Sequence, residues 1–122
     1  ESDAAAALAG LNEPYRRVAI LGMHTGQRRG DLIAMTWGAY DGATIRVRQQ
    51  KDRRREAAPT MVIPCHPDLR AELDQWKRER QAAVILTSPQ GRPWTAPHLT
   101  REMAKRLRAL GLPEIGVHGL RK

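Results

Sequence analysis

Apolar residues recur along this chain with two different periods, and the change from one to the other marks its elements. Ser2 is placed to cap a helix through Ala4, Ala5, Ala6, Ala7 and Leu8, with Gly10 as its stop. Pro14 suits the first turn of a second helix, whose apolar side is Val18, Ile20, Leu21 and Met23 and whose end is Thr25-Gly26. A third helix is predicted directly after it, carrying Asp31, Leu32, Ile33, Met35 and Trp37 and closed by Gly38 and the Asp41-Gly42 turn. From Thr44 to Arg48 the period drops to two, with Ile45 and Val47 on one face and Arg46 and Arg48 on the other, as in a half-buried strand. Residues 60–63, closed by Pro64, supply its partner, and residues 49–59 form a long hairpin connection.

The helical period then returns. Pro67 starts an amphipathic helix with Leu69, Leu73 and Trp76 on one side and Arg70, Asp74, Lys77 and Arg78 on the other. Residues 84–86 read as a brief third strand entering the turn Ser88-Pro89-Gln90-Gly91. Thr95 caps a last helix lined by Leu99, Met103, Leu107 and Leu110, with Gly111 as its left-handed end and Pro113 preventing continuation. Helices, a small antiparallel sheet, then helices again define a mainly α fold of the α+β class. A length of 122 residues predicts one domain. The lack of Phe leaves packing to aliphatic side chains and three Trp.

Charge changes the picture more than composition does. Lys and Arg number 21 against 13 acidic residues, a net charge of +8, so a polyanionic partner is expected, nucleic acid foremost. No continuous basic amphipathic helix, spanning segment or secretory leader is visible, which predicts a soluble, cytoplasmic and nucleoid-associated protein without a membrane partner. Cys65 is the only cysteine, so no internal disulfide and no cysteine-based metal site is available, and it reads as a packing residue.

Two local patterns carry candidate chemistry. In Thr25-Gly26-Gln27-Arg28-Arg29-Gly30-Asp31-Leu32, a sharp turn at Gly26 brings a planar Arg fork to helix-start amides, a set suited to phosphate oxygens. Taken alone, Arg28 is better explained by a surface ion pair with Asp31, three residues on. In His118-Gly119-Leu120-Arg121-Lys122, the i,i+3 spacing of His118 and Arg121 lets both donors face one point. A basic run, Lys51, Arg53, Arg54 and Arg55, occupies the hairpin connection, where a solvated loop is the simplest explanation.

Together these motifs resemble the catalytic domain of the tyrosine recombinases, the phage-integrase family. Thr25-Gly26-Gln27-Arg28 with Gly30-Asp31-Leu32 resembles its first arginine motif, and His118-Gly119-Leu120-Arg121 its second. Lys51, followed by Val62-Ile63-Pro64, matches its hairpin lysine. The resemblance implies breakage and rejoining of double-stranded DNA through a 3′-phosphotyrosine, with neither metal nor nucleotide cofactor. Arg28 and Arg121 would clamp the nonbridging oxygens and His118 would add a donor. Lys51 would protonate the departing 5′-oxygen, its pKa lowered by Arg53, Arg54 and Arg55. Asp31 would orient Arg28, and Lys122 stands where the family often has His.

The family's nucleophilic Tyr lies beyond the second arginine motif, and this chain ends at Lys122. Tyr15 and Tyr40 fall in the wrong segment for that role and read as packing residues with a polar tip. The expectation is a catalytic domain incomplete at its C-terminus and without an N-terminal DNA-clamping domain, inert alone. Its parent would act as a tetramer on DNA, while a monomeric state is open to the fragment. The competing reading is a basic DNA-binding module that never had catalysis, using Arg46, Arg48 and the Lys51, Arg53, Arg54 and Arg55 run for phosphate contacts. RNA binding ranks last, because few aromatics are available for base stacking.

Overall fold

The structure is a computed structural model that describes residues 8–48 and 60–111. The Ser2-capped start of the first predicted helix, the basic run of the hairpin connection, Pro113 and the second arginine motif lie outside the described residues.

Residues 8–10 are helical and stop at Gly10, as the sequence predicts. Helix α1 spans Tyr15–Thr25 and buries Tyr15, Val18, Ala19, Ile20, Leu21 and Gly22. Pro14 stands at its N-cap rather than inside the first turn, a one-residue difference that suits a residue with no N–H to contribute. The helix stops where Gly26 takes the left-handed conformation, φ 66° and ψ 18°, and its N–H returns to the Gly22 carbonyl. Helix α2, Arg29–Ala34, follows at once.

Here the structure departs from the periodicity. The predicted helix through Trp37 ends at Ala34, because Met35 is extended and its carbonyl accepts from Ile85 N–H at 2.9 Å, while Trp37 N–H donates to Ala83 O at 2.8 Å. Met35 and Trp37 are buried all the same, so their apolar spacing could not distinguish a helix from this paired segment. Trp37–Ala39 then forms a single 3-10 turn. By the same pairing the expected third strand at residues 84–86 reduces to one isolated bridge, Thr36 with Val84, and the sheet has two strands.

Those strands are β1, Thr44–Arg48, and β2, Thr60–Pro64, antiparallel with Ile45 opposite Ile63 and Arg46 opposite Val62. Asp41 nucleates the entry to β1 by accepting from the N–H groups of Ala43 and Thr44 at 2.9 and 2.7 Å. Ile45 and Val47 are buried while Arg46 and Arg48 face solvent, as the alternation predicts.

Helix α3, Pro67–Arg78, is capped by the His66 ring, whose Nδ1 accepts from Asp68 N–H at 3.0 Å, and it buries Leu69, Leu73 and Trp76. Helix α4, Ala96–Ala109, is capped by Thr95 and buries Leu99, Met103 and Leu107. Leu110 does not complete that stripe. It sits at the C-cap, 38% exposed, where the chain turns away through Gly111 at φ 79°. These faces converge on one core with Trp37, Trp76 and Trp94 in it. Each fully buried aliphatic side chain there contributes about 1.5–3 kcal/mol of transfer free energy. Cys65 is part of this core, and burial pushes its thiol pKa up, in keeping with a packing role.

Candidate functional site

The corner between α1 and α2 is built by local hydrogen bonds. Thr25 Oγ1 donates back to Leu21 O at 2.7 Å, Gly26 N–H donates to Gly22 O at 2.9 Å, and Gln27 Nε2 donates to Thr25 O at 3.2 Å. Arg28 follows as the N-cap of α2 with an extended backbone, its carbonyl accepting from Leu32 N–H at 2.9 Å. Its side chain is half-buried at this corner.

Arg28 and Asp31 do not form the surface ion pair that their spacing allows. Asp31 is 3% exposed and turned into the fold, and the Arg28 guanidinium is in no ion pair among the described residues. The reason is the extended N-cap. A side chain on that residue leaves at a different angle from one inside the first turn, so the i,i+3 geometry of a continuous helix does not apply.

Around this corner the fold gathers further cations. Arg29 Nη1 donates to Thr100 Oγ1 at 2.6 Å, tying α2 to α4 beside exposed Arg101. On the other side a small cleft of about 70 Å³, lined by Asp31, Thr36, Ala39, Arg46 and Arg48, joins α2 to β1. Arg46 Nη2 donates to Gly38 O at 3.1 Å. The structure thus brings the first arginine motif beside Arg46 and Arg48. Lys51, Arg53, Arg54, Arg55, His118, Arg121 and Lys122 lie outside the described residues.

The opposite arrangement holds along α1 and α3. Arg16 makes a two-pronged contact with Glu72, at 2.7 and 3.2 Å, and reaches Glu13. Arg17 binds Glu13 and Glu79 and lies over the Trp76 ring, 5.1 Å from its centre. The hydrogen bonds from Arg16 hold the Glu72 carboxyl below the usual carboxylate range, and those from Gln75 and then Arg17 do the same for Glu79. A cleft of about 410 Å³ beside this cluster has Glu13, Arg17 and Glu79 of its rim paired with one another, while Arg80 on the same rim donates to the Lys77 carbonyl. Carboxylates engage Arg16 and Arg17 here, while Arg28, Arg29, Arg46, Arg48 and Arg101, like Arg70, Lys77, Arg78 and Arg80 on and just after α3, are in none of the ion pairs formed by the described residues.

Sequence reasoning passed over three parts of this site. Exposed Arg101 on α4, next to Thr100, was visible only as part of the polar face of an amphipathic helix. The Arg29–Thr100 bond joins positions 71 apart and has no local signal. Gln27, buried at 5% exposure, looks like any polar turn residue until the fold closes over it.

Both tyrosines are engaged in packing. Tyr15 lies against Trp94, ring centres 5.9 Å apart, with the Arg106 guanidinium 4.0 Å over its face. Tyr40 is buried and its hydroxyl donates to Asp74 Oδ1 at 2.8 Å; burial first, then that bond to a carboxylate, pushes its pKa well above the ordinary phenol value. No group of three or more His, Cys, Asp or Glu is arranged to hold a metal ion, and no helix is long and apolar enough to cross a membrane, among the described residues.

Comparison with solved structures shows the fold. The chain superposes on a lambda integrase dimer bound to a COC′ core site with a TM-score of 0.72 and 26% identity, over 98% of this chain and 45% of that one. The lambda integrase catalytic core gives a TM-score of 0.80 at 24% identity, over 98% of this chain and 79% of that one. XerA recombinase gives 0.76 at 17% identity, over 99% of this chain and 46% of that one. The chain has the catalytic-domain fold of the tyrosine recombinases, mainly helical with a two-stranded antiparallel sheet, and the lambda integrase catalytic core is a solved example of it.

No protein-family model matches the chain. Among curated proteins it is 43% identical over 81 residues to a tRNA (guanine-N(1)-)-methyltransferase of Xanthomonas campestris pv. campestris (strain B100), covering 65% of this chain and 31% of that protein. The same figures hold for strain 8004. The chain therefore spans under a third of the curated relatives it matches, and under half of the lambda integrase chain in the core-site complex.

Proposed function

We propose that this chain is a DNA-binding part of a site-specific tyrosine recombinase catalytic domain, in which Arg28 grips the scissile phosphate. The observation that carries the reading is the Arg28 corner. In a fold shared with DNA-bound recombinases over 98% of the chain, this arginine is in no ion pair among the described residues, and Asp31 of the same motif lines a small cleft with exposed Arg46 and Arg48. A guanidinium held without a counter-charge is suited to a phosphate, because binding then breaks no existing ion pair. The methyltransferase similarity supports a transfer of function less well, since it covers less than a third of that relative.

In the reaction the resemblance implies, a tyrosine hydroxyl gives up its proton to solvent as its oxygen forms a bond to phosphorus, and the bond from phosphorus to the 5′-oxygen breaks. Negative charge gathers on the nonbridging oxygens as this happens. Arg28, with Arg121 and His118 from the second motif, stabilises that charge, and Lys51 delivers a proton to the leaving 5′-oxygen. Asp31 and Lys122 support the site, and Arg53, Arg54 and Arg55 add phosphate contacts near Lys51. Rejoining runs the same steps in reverse. The phosphodiester is exchanged rather than hydrolysed, so its bond energy is retained.

Tyr15 and Tyr40 do not serve as the nucleophile in this proposal, because one is packed against Trp94 and the other is bonded to Asp74 within the core. The 122-residue chain alone is therefore proposed to bind DNA without cutting it. Duplex binding should weaken steeply with salt, and Arg28→Ala should reduce affinity roughly tenfold and lower the salt slope by about one. An Arg28→Ala change no more costly than removal of exposed Arg92 would leave only a generic basic module. A covalent protein–DNA adduct on a denaturing gel would overturn the proposed inactivity.

A further inference from the structure

We infer that Gln27 is a positioning residue for Arg28, an inference that rests on the proposed role of Arg28 in gripping phosphate. Gln27 is the single residue between left-handed Gly26 and Arg28, and it is more than nine-tenths buried. Burying a primary amide is unfavourable unless its donors and acceptor find partners, so an apolar side chain of similar size would fill this space at less cost. The amide has a specific use instead. Helix α1 ends at Thr25, whose carbonyl has no following helical turn to supply a donor. Gln27 Nε2 reaches back across Gly26 and donates to that carbonyl at 3.2 Å.

The bond closes a loop of three residues around the left-handed position, and it fixes the direction in which the backbone leaves it. The next residue is Arg28, held from its other side by Leu32 N–H on its carbonyl. With both flanks pinned, the Arg28 Cα and Cβ have one orientation relative to α1 and α2. A flexible four-bond side chain ending in a guanidinium needs such a base, because a small rotation of the Cα–Cβ bond displaces its tip by several times more. Gln27 does not touch the phosphate in this account. It acts through Arg28.

Gln27→Met keeps length and volume and removes the donor; Gln27→Glu keeps the shape and, when ionised, also removes it. Affinity of the 122-residue chain for a fluorescent DNA duplex would be measured by anisotropy across a salt series, for the unaltered chain, Gln27→Met, Arg28→Ala and the double variant. Circular dichroism would confirm that each is folded, and Gln27→Glu would replace Gln27→Met if the latter is not.

The expected result is a loss of roughly three- to tenfold for Gln27→Met, with a reduced salt slope, and no further loss when it is added to Arg28→Ala. A merely structural role would weaken binding by the same factor in both backgrounds and leave the slope alone, and that pattern would overturn the inference. So would a Gln27→Met chain that binds as tightly as the unaltered one while Arg28→Ala does not. If Arg28→Ala itself binds normally, the phosphate-gripping role of Arg28 fails, and the positioning role falls with it.

Discussion

Gly26 offers a sharp test of how the corner is held. Its φ of 66° and ψ of 18° lie in the left-handed region, and a Cβ built there meets nothing within 4 Å among the described residues. Replacing it with Ala therefore introduces no collision, and the whole penalty is conformational. The left-handed conformation costs an L-residue about 1–2 kcal/mol, partly offset because Ala also restricts the unfolded chain by about 0.4–1 kcal/mol. The net loss should be about 1 kcal/mol, which for a domain of this size lowers the melting temperature by about 4 °C. Asn tolerates this conformation better, so Gly26→Asn should lose distinctly less. Gly38, whose φ is not positive and whose added Cβ would come no closer than 3.9 Å to Thr36 Oγ1, supplies the control, and Gly38→Ala should shift the midpoint little. Thermal unfolding followed by circular dichroism reads all three. A Gly26→Ala protein as stable as the original, or a Gly26→Asn protein equally damaged, would refute the backbone account.

Two further expectations concern pH. Tyr40 keeps its proton in the folded state above the ordinary phenol pKa of 10.0, where the unfolded chain has lost it, so its contribution is complete below about pH 10 and declines as pH rises further. Tyr40→Phe should cost about 1 kcal/mol near neutrality and flatten that alkaline decline in urea unfolding; an unchanged slope would disprove the assignment. Glu72 is shifted the other way by Arg16, so its contribution is present above the unfolded value near 4.5 and disappears as pH falls through the lower folded value. Both partners are about one-third exposed, which limits the effect to under about 1 kcal/mol, and Glu72→Gln should remove that part of the acid loss. Identical acid titrations for the two proteins would count against the pair.

Much of the Arg28 corner could be read before folding. Gly26 announced a turn, Thr25 the helix end before it, and the run from Thr25 to Leu32 carried the family resemblance. What could not be read was the state of its charges. The i,i+3 rule joined Arg28 to Asp31, whereas the extended N-cap separates them and the fold buries Asp31. Glu13, Glu72 and Glu79 lie up to 66 positions apart in the chain, and only their convergence neutralises Arg16 and Arg17.

Sequence alone determined α1, α3, α4 and the two strands, because caps, prolines, glycines and apolar spacing act over three or four residues and need no distant partner. It also determined the outward direction of Arg46 and Arg48, since alternation leaves a strand residue only two faces. Tertiary structure decided where α2 stops, for Met35 and Trp37 exchange a helical continuation for backbone bonds to Ile85 and Ala83, about fifty residues away. It also decided that Leu110 stays partly exposed and that Gln27 is buried. The physical division is one of range. Local energies choose the element, whereas burial and charge pairing depend on which remote surfaces meet, and that is known only once the chain has closed on itself.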